Sequence, residues 1–537
     1  MKQRSERGRA IEGAKVDKER IRVSLQPRLA AVGAFLSLLD SPHPPTMETQ
    51  CFSSVRFTIS AMDIRRLCTA AVLLSVVFIG GCLEVGSDAG GSRPAGDASE
   101  ENQASPVTEL PAEVNVSYPC PEGATFQPTG DVCAGLIEDP LRTLGEPFQA
   151  VHPTDPATIA VGVMEGKAQP SGQEENSGAE NVGLAVYVTT DAGESWERNP
   201  IPLGDVPETM PARDRSGADP SLVFDEAGRL HFTGLISFQE PPGEPSDNPG
   251  FVEQSETRVF AMRSTDLGDS WEHETLLAAD TDHDRQWLTG PVNGILFTSW
   301  RNQPNSTSSI ATSTDAGETW RTPGNASLLE SCDSISPVEA TSAGLLVACE
   351  HDGQFDVYEL DPVTGGLDRL AAVEGGCPVN SPFLANPIDD VIVSACYGGQ
   401  MAHSPDGGET WNVSIDVIEE ATVNEDWPEP LVNPFVYAMG AGADGYVHVL
   451  FTHSPATFAP YDRGQRPVAH VVLHPANLTI VAETELKPPE TSTESNPSPN
   501  RGPADDYYDV EVVDDRTMLT WTTNEWATAY AFAETGS

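Results

Sequence analysis

Lysine and arginine are scarce in this sequence, and their scarcity excludes one class of partner. The 537 residues include 30 Lys and Arg against 81 Asp and Glu, for a formal charge of −51. After position 82 the only lysines are Lys167 and Lys487. Because phosphate backbones are bound through cationic contacts, nucleic acid is excluded as a partner. We interpret the acidic surface as solubility in high salt, with a cation-binding or basic-partner surface as the alternative.

Catalytic and metal-binding signatures are also absent. The sequence has no C-x-x-C and no clustered histidine for zinc. It has no Gly-rich phosphate loop, no H-E-x-x-H and no Ser-His-Asp order. We therefore predict no metal site and no cofactor, and calcium is the one ion that an acidic site could hold. Scattered histidines such as His152, His231 and His283 are interpreted as local structure.

No apolar run is long enough to span a membrane, and the longest candidate has another interpretation. A basic segment, Met62-Asp63-Ile64-Arg65-Arg66, precedes an apolar run at 67–79 that ends in Ile79-Gly80-Gly81-Cys82. This order is typical of a secretory signal, and the run is shorter than the roughly 20 residues of a spanning helix. The I-G-G-C ending resembles the lipobox of prokaryotic lipoproteins. It implies a lipid on Cys82 and an exported protein, at the cell surface or in the periplasm, whose only membrane contact is that lipid.

Composition divides the chain into four parts. Residues 1–61 are Arg-rich without turn or strand rhythm, and we predict a mis-called, disordered N-terminal extension. Residues 62–81 are the signal peptide. Residues 82–117 are Gly, Ser, Ala, Asp, Glu and Pro with few large apolar side chains, which predicts a flexible acidic tether. Residues 118–537 form the folded domain, which we expect to be a monomer.

An eight-residue pattern with fixed Asp, Gly and Trp occurs four times. The copies are Thr189–Trp196, Ser264–Trp271, Ser313–Trp320 and Ser404–Trp411. Apolar, β-prone runs precede the first two copies, so the Asp can accept backbone N–H bonds in a turn and the Gly can supply a positive φ. The Trp then begins the return strand and offers a large packing face. Each copy therefore predicts a hairpin staple with a structural role.

The spacing of the copies predicts the architecture. Asp266 and Asp315 are 49 residues apart, and Asp315 and Asp406 are 91 apart, close to two periods. A decayed copy is expected midway, at Asp361-Pro362-Val363-Thr364-Gly365. A period near 45 with four short strands per unit is typical of an all-β propeller.

These copies resemble the Asp-box (BNR) repeat of sialidase-like β-propellers. The resemblance implies that they lie on the rim, away from the active centre. Pairs of strand-like runs predict seven four-stranded antiparallel blades, with six as the alternative count. The last blade has room for three strands, so a segment between about Ala134 and Leu144 should supply the fourth and close the ring.

Six cysteines remain in the folded domain, and an even count in an exported chain favours disulfides. Their spacing predicts three local pairs: Cys120–Cys133, Cys332–Cys349 and Cys377–Cys396. The last two pairs would each pin the first hairpin of a blade.

The candidate site residues precede or follow the innermost strands, because these positions converge on the mouth of a propeller channel. Resemblance to sialidases implies three arginines that grip a substrate carboxylate, a Tyr nucleophile paired with a Glu, and an Asp acid/base. The candidates are Arg215, Arg285 and Arg301 for the grip, Tyr507 or Tyr508 as nucleophile, Glu425 as its partner, and Asp219 or Asp284 as acid/base. Trp287 and Trp427 are candidates for stacking on a sugar.

The family's F/Y-R-I-P motif is absent, and the first blade at 148–163 holds no Arg. We therefore favour recognition at the cell surface, in which the channel mouth binds carbohydrate or a surface protein. The alternative is a glycoside hydrolase, exo-sialidase-like or otherwise dependent on two carboxylates. Each candidate residue also has a purely structural interpretation as a turn former, an ion-pair partner or a core residue.

Overall fold

The structure is a computed structural model. It describes residues 110–111, 114–120, 126–129, 131–139, 142–167, 183–202, 215–238, 256–278, 283–302, 307–322, 332–341, 344–351, 354–362, 366–373, 382–388, 390–396, 398–422, 434–453, 468–487, 508–513, 515–523 and 527–536. The predicted extension, the signal peptide, Cys82 and most of the tether lie outside the described residues.

Blades 1 to 3 are built from strands that follow one another along the chain. Blade 1 holds β4 (Arg142–Val151), β5 (Ile159–Lys167), β6 (Gly183–Thr189) and β7 (Glu197–Pro200); blade 2 holds β8 (Arg215–Phe224), β9 (Leu230–Phe238), β10 (Glu256–Ser264) and β11 (Glu272–Ala278); blade 3 holds β12 (His283–Val292), β13 (Ile295–Asn302) and β14 (Thr307–Ser313). In the described part of blade 3, the fourth strand is a single bridge between Thr312 and Arg321.

Blades 4 to 7 follow the same order. Blade 4 holds β15 (Ser334–Ile335) and β16 (Glu339–Thr341), both paired with β17 (Gly344–His351), then β18 (Gln354–Leu360) and β19 (Leu367–Val373); blade 5 holds β20 (Pro382–Ile388), β21 (Val391–Cys396), β22 (Gln400–Ser404) and β23 (Asn412–Asp416), followed by the single turn α1 (Val417–Glu420); blade 6 holds β24 (Pro434–Ala441), β25 (Val447–His453), β26 (Val468–Leu473) and β27 (Ile480–Leu486); blade 7 holds β28 (Asp509–Val513), β29 (Arg516–Thr522) and β30 (Thr528–Gly536).

The N-terminal part of the domain closes the ring. It contributes β1 (Asn115–Ser117), β2 (Phe126–Thr129) and β3 (Val132–Ile137) to blade 7, where β3 pairs with β30. This confirms the predicted closing segment, but the closing strand ends at Ile137, and Arg142 to Leu144 belong to β4. Residues 115–117, which we assigned to the tether, pair with β30 as β1. Contacts with the ring therefore begin before Tyr118.

Seven apolar clusters, one at each junction between neighbouring blades, hold the ring together. Successive side chains of a strand point to opposite faces, and each blade buries both of its faces. The central strands of a blade are therefore apolar without alternation. Leu184 to Val188 in β6 is such a buried run. The cluster that joins Phe532 of blade 7 to Ile159 of blade 1 completes the circle. Seven sheets and seven junctions confirm the seven-bladed propeller, and the six-bladed alternative is wrong.

The four eight-residue repeats form the hairpin between the third strand and the fourth strand or bridge of their blades. In the first copy, Asp191 accepts hydrogen bonds from the Ser195 N–H (2.9 Å) and hydroxyl (2.6 Å). The Thr189 hydroxyl donates to Asp191 at 2.6 Å and accepts from the Gly193 N–H at 2.9 Å. Ala192 and Gly193 have φ of 57° and 95°, the left-handed turn that the Gly was predicted to permit. The other three copies repeat these bonds.

Side chains of the preceding blade fasten three of these turns. Tyr530 of blade 7 donates to the Gly193 carbonyl at 2.7 Å. Asn199 of blade 1 donates to the Leu267 carbonyl at 3.0 Å, and Arg263 of blade 2 donates to the Ala316 carbonyl at 2.9 Å. The repeats therefore join blades as well as shape hairpins.

Two of the three predicted disulfides are present. Cys120–Cys133 and Cys332–Cys349 have Cα–Cα distances of 5.1 and 5.4 Å. Cys377 and the side chain of Cys396 lie outside the described residues, so the third pair stays a prediction. Across the same described residues, no helix has the length and apolar character needed to cross a membrane.

Candidate functional site

The innermost strands of blades 1, 2 and 3 share one irregularity. β4, β8 and β12 each shift register at the same point, next to Glu146, Asp219 and Arg285. These three residues have φ of 52°, 52° and 54°, in the left-handed region that non-glycine residues rarely adopt. Such strained positions cost about 1 to 3 kcal/mol and cluster at functional sites. The shared bulge directs three polar residues out of the ladder.

The bulges are linked from blade to blade. The Asp219 N–H donates to the Glu146 carboxylate at 3.0 Å, and the Arg285 N–H donates to the Asp219 carboxylate at 3.0 Å. Glu146 and Asp219 are buried, so backbone donors offset part of the cost of desolvating them. The bulge residue of one blade thereby positions the bulge residue of the next blade. We call the polar row of Glu146, Asp219 and Arg285, together with the side chains that contact it, the belt.

Asp284 lies between two arginines at this belt. Arg285 Nε is 3.9 Å and an Arg301 terminal nitrogen is 3.8 Å from the same Asp284 oxygen. Both arginine side chains are largely buried, and Arg301 Nε has no hydrogen-bond partner among the described residues. Arg301 Nε is therefore a guanidinium donor that a ligand could engage.

Three carboxyl groups occupy a second level of the innermost strands. Asp509 and Glu511 lie on β28 of blade 7, and Glu339 lies on β16 of blade 4, across the ring. The Gln149 N–H donates to Asp509 at 2.7 Å, and the Asn386 N–H donates to Glu339 at 3.1 Å. Gln149 is three residues beyond Glu146 in β4, so this level is roughly 10 Å further along the strand than the belt.

Burial makes these carboxyls hard to ionise. Burial raises the pKa of Glu339 to about 8, against the hydrogen bond from Asn386, and the charge of Glu511 adds to the rise. Burial likewise raises the pKa of Glu511 to about 7. The pKa of Asp509 lies well above its ordinary value, first because of burial and then because of the charge of Glu511. Carboxyls with such pKa values can hold or exchange a proton near neutral pH.

Four of the predicted site residues therefore meet at one place: Asp219, Asp284, Arg285 and Arg301. Arg215 begins β8, but its side chain lies outside the described residues, as do Glu425, Trp427 and Tyr507. Tyr508, the other nucleophile candidate, is buried and stacks on Tyr437 with ring centroids 4.9 Å apart. Only 5 % of Trp287 is exposed, and its ring centroid is 6.2 Å from that of Phe148. In this structure the Trp287 ring therefore packs against a neighbouring side chain.

Comparison with known proteins finds distant structural likeness only. No protein family and no curated protein matches the chain. Among solved structures, the Hadza microbial sialidase Hz136 aligns at 13 % identity and a TM-score of 0.43, over 74 % of this chain and 66 % of the sialidase. A protein of unknown function from Dyadobacter fermentans DSM 18053 aligns at 14 % and 0.42, over 75 % and 97 %. YCF48 from Cyanidioschyzon merolae aligns at 13 % and 0.40, over 74 % and 98 %.

At these identities and TM-scores the likeness carries no argument about activity. The propeller assignment rests on the seven sheets and their strand order. Substrate, partner and reaction must be argued from the residues of this chain.

Metal binding finds no additional support in the described part of the chain, where no group of three or more His, Cys, Asp or Glu is arranged to hold an ion. Calcium at the mouth stays a prediction that the structure does not test.

Sequence reasoning missed Glu146 and the three carboxyls Glu339, Asp509 and Glu511. The predicted candidates flank the expected innermost strands, whereas these four residues lie within the strands. One signal was available, since Asp509-Val510-Glu511 places two carboxyls on alternate positions of a strand that should be buried on both faces.

Proposed function

We propose that this protein is an exported, lipid-anchored propeller that recognises a ligand at the cell surface through the belt of blades 1 to 3. The ligand is a glycan or a polar segment of a surface protein. The belt combines carboxylate acceptors on Glu146, Asp219 and Asp284 with guanidinium donors on Arg285 and Arg301. A polyhydroxylated ligand needs such a mixture, since each hydroxyl both donates and accepts.

The observation that carries this proposal is the position of Asp284. Two of the three predicted grip arginines contact its carboxylate, at 3.9 and 3.8 Å. A substrate carboxylate would have to displace Asp284 before those arginines could grip it. A hydroxyl group could instead insert into these long contacts and bond to both partners. This favours recognition of polar groups over a sialidase-type carboxylate grip.

A glycan array and fluorogenic glycosides, sialosides included, test the proposal on the full chain in detergent, in high and low salt. We expect glycan binding without turnover, weakened about tenfold or more in Arg301→Ala. Arg229→Ala is the matched control, because Arg229 pairs with Asp225 at the first hairpin of blade 2, away from the belt. Equal binding by both variants would contradict the belt as the binding site.

The second candidate function, a glycoside hydrolase, has one specific observation in its favour. Glu339 and Glu511 have pKa values of about 8 and 7, so both retain protons near neutral pH as a general acid must. Turnover on any glycoside that is lost in Glu339→Gln and kept in Glu409→Gln, an exposed control, would establish it. Absence of turnover in every variant leaves recognition as the function.

The export part of the proposal is supported by the two disulfides, which persist in oxidising compartments. It also rests on the I-G-G-C sequence at Cys82. Mass spectrometry of the membrane-extracted protein tests it. We expect an N-terminal peptide that begins with lipid-modified Cys82, whereas an unmodified Cys82 would contradict the anchor.

A further inference from the structure

A short N-terminal segment lies against blades 6 and 7 and is held there by aromatic and histidine side chains. We call Leu110–Tyr118 the strap, of which residues 110–111 and 114–118 are described. The Tyr446 hydroxyl donates to the Pro111 carbonyl at 2.9 Å, and His474 Nε2 lies 3.3 Å from the Leu110 carbonyl. The strap then forms β1 beside β30 and ends at Tyr118, which is buried.

Tyr118 is the end of a buried chain of four side chains. Its hydroxyl lies 2.7 Å from His470 Nδ1, and His470 Nε2 lies 2.9 Å from His448 Nδ1. His448 Nε2 lies 3.2 Å from both carboxylate oxygens of Asp444, which also accepts from the Thr535 hydroxyl at 2.6 Å. The two imidazoles stack with centroids 5.0 Å apart, and each is no more than 1 % exposed. We call this chain the relay.

The relay can be assigned a direction from its ionised end. An ionised Asp444 only accepts, so His448 Nε2 donates to it and the neutral His448 accepts at Nδ1. His470 Nε2 must then donate, which leaves His470 Nδ1 to accept the Tyr118 hydroxyl proton. Every member is satisfied when both imidazoles are neutral. The relay thus joins the strap, blade 6 and the C-terminal strand in one hydrogen-bonded line.

The surroundings favour this neutral arrangement. Burial keeps the pKa of His470 well below its usual range, against the effect of Asp444. Burial acts to raise the pKa of Asp444, but the hydrogen bonds from His448 and Thr535 outweigh it, and that pKa is about 2. Burial raises the pKa of Tyr118, against a hydrogen bond from Thr484.

Other titratable groups stand further from His470. Thr484 is its cross-strand neighbour on β27, and the flanking Glu483 and Glu485 alternate to the opposite face of that strand. Asp131 shares with Tyr118 the lining of a groove of about 650 Å³ beside the strap.

We propose that the relay is an acid-sensitive clamp, which holds the strap on blades 6 and 7 at neutral pH and releases it as the pH falls through the ordinary titration range of histidine. The proposal does not depend on a ligand at the channel mouth. Release would free the first residues that are anchored to the ring at the C-terminal end of the predicted tether. It would also remove one wall of the groove beside the strap.

The sign follows from proton uptake. With the strap attached, His470 stays neutral. When Tyr118 leaves, His470 gains access to water and its pKa returns toward the ordinary value of about 6.5. The detached state then binds one more proton than the attached state below that pH. Attachment is therefore complete above pH 6.5 and weakens by up to tenfold for each pH unit below it.

Hydrogen exchange followed by mass spectrometry on the full chain in detergent tests the clamp. Protection factors are corrected for the intrinsic pH dependence of exchange. We expect strap amides to lose about tenfold protection per pH unit between 6.5 and 5, while amides of β29 keep theirs. Flat strap protection across this range would overturn the proposal.

Variants separate the clamp from general acid sensitivity. His470→Gln keeps a donor and an acceptor but cannot titrate, so the pH slope should vanish with the strap still protected at pH 7.5. His403→Gln is the control, because His403 is a partly buried histidine of β22 in blade 5 and its loss should leave the slope intact. An unchanged slope in His470→Gln would contradict the proposal.

A third variant covers a failure of His470→Gln to fold. Tyr118→Phe removes only the hydroxyl that joins the strap to the relay. We expect it to lower strap protection about fivefold at pH 7.5, the effect of one lost hydrogen bond, without changing β29. Protection equal to that of the parent protein would show that the relay does not hold the strap.

Discussion

Carboxyl groups on the rim of this propeller and carboxyl groups at its axis have pKa values that are shifted in opposite directions. On the rim, the hydrogen bonds from Ser270 and Ser264 hold the pKa of Asp266 below its ordinary value. The other three repeats reach the same result against a contribution from burial. At the axis, burial raises the pKa of Glu339, Asp509 and Glu511.

The difference teaches where to look for function in a repeated fold. The rim aspartates recur because each closes the same hairpin with its own neighbours in sequence. The axis carboxyls are not part of any repeat. Burying them costs free energy, and the formation of a hairpin does not require it. Side chains that break the repeat are therefore the better candidates for binding and chemistry.

The largest effect in this comparison is expected on the rim. Asp191→Ala removes the acceptor for the Ser195 N–H, the Ser195 hydroxyl and the Thr189 hydroxyl. We expect the free energy of unfolding, measured by urea titration, to fall by about 2 kcal/mol. Asp368→Ala, on the exposed face of β19, is the control and should change little. Similar losses of unfolding free energy in both variants would show that the rim aspartates stabilise the fold no more than an exposed aspartate does.

A somewhat smaller effect, with a pH dependence, is expected at the axis. Because the folded-state pKa values of Glu339 and Glu511 lie above the unfolded values, their contribution is fully present below pH 4.5 and lost as pH rises through about 7 to 8. We expect the unfolding free energy to fall by roughly 1 to 2 kcal/mol from pH 5.5 to 8.5. The rim has the opposite sign, since its contribution is lost in acid.

Glu339→Gln should reduce that alkaline slope in urea titrations at a series of pH values, with the remainder coming from Glu511. Glu409→Gln, an exposed glutamate in the fourth repeat, should keep it. A slope as steep in Glu339→Gln as in the parent protein would show that Glu339 does not contribute to it.

The smallest effect concerns the interaction across the ring. Glu511→Gln removes one neighbouring charge, so the pKa of Glu339 should fall slightly toward its ordinary value, burial being the larger cause. Carbon-detected NMR of labelled glutamate side chains measures this change. Asp509→Asn is the matched control, since the charge that acts on Glu339 is that of Glu511. An unchanged pKa of Glu339 in Glu511→Gln would show that the charge of Glu511 does not act on Glu339 across the ring.

Much of the fold could be predicted because its signals are local or periodic. The D-x-G turns, the period near 45, the closing strand and two disulfides follow from spacing along the chain, and the structure confirms them. The belt was half predicted: Asp284, Arg285 and Arg301 flank strand ends that any propeller brings to its mouth. Glu146 was not found, because a bulge that gives a glutamate a positive φ leaves no mark in the sequence.

By itself, the sequence determined the four hairpin staples, because the bonds that shape each turn from within join residues at most eight positions apart. Only the tertiary structure decided which carboxyls lose their charge. Glu339 and Glu511 are distant in sequence. Their pKa values depend on the water that the surrounding blades exclude, and the pKa of Glu339 depends also on the charge of Glu511. Such long-range desolvation is a property of the closed ring, so no segment of the chain carries it alone.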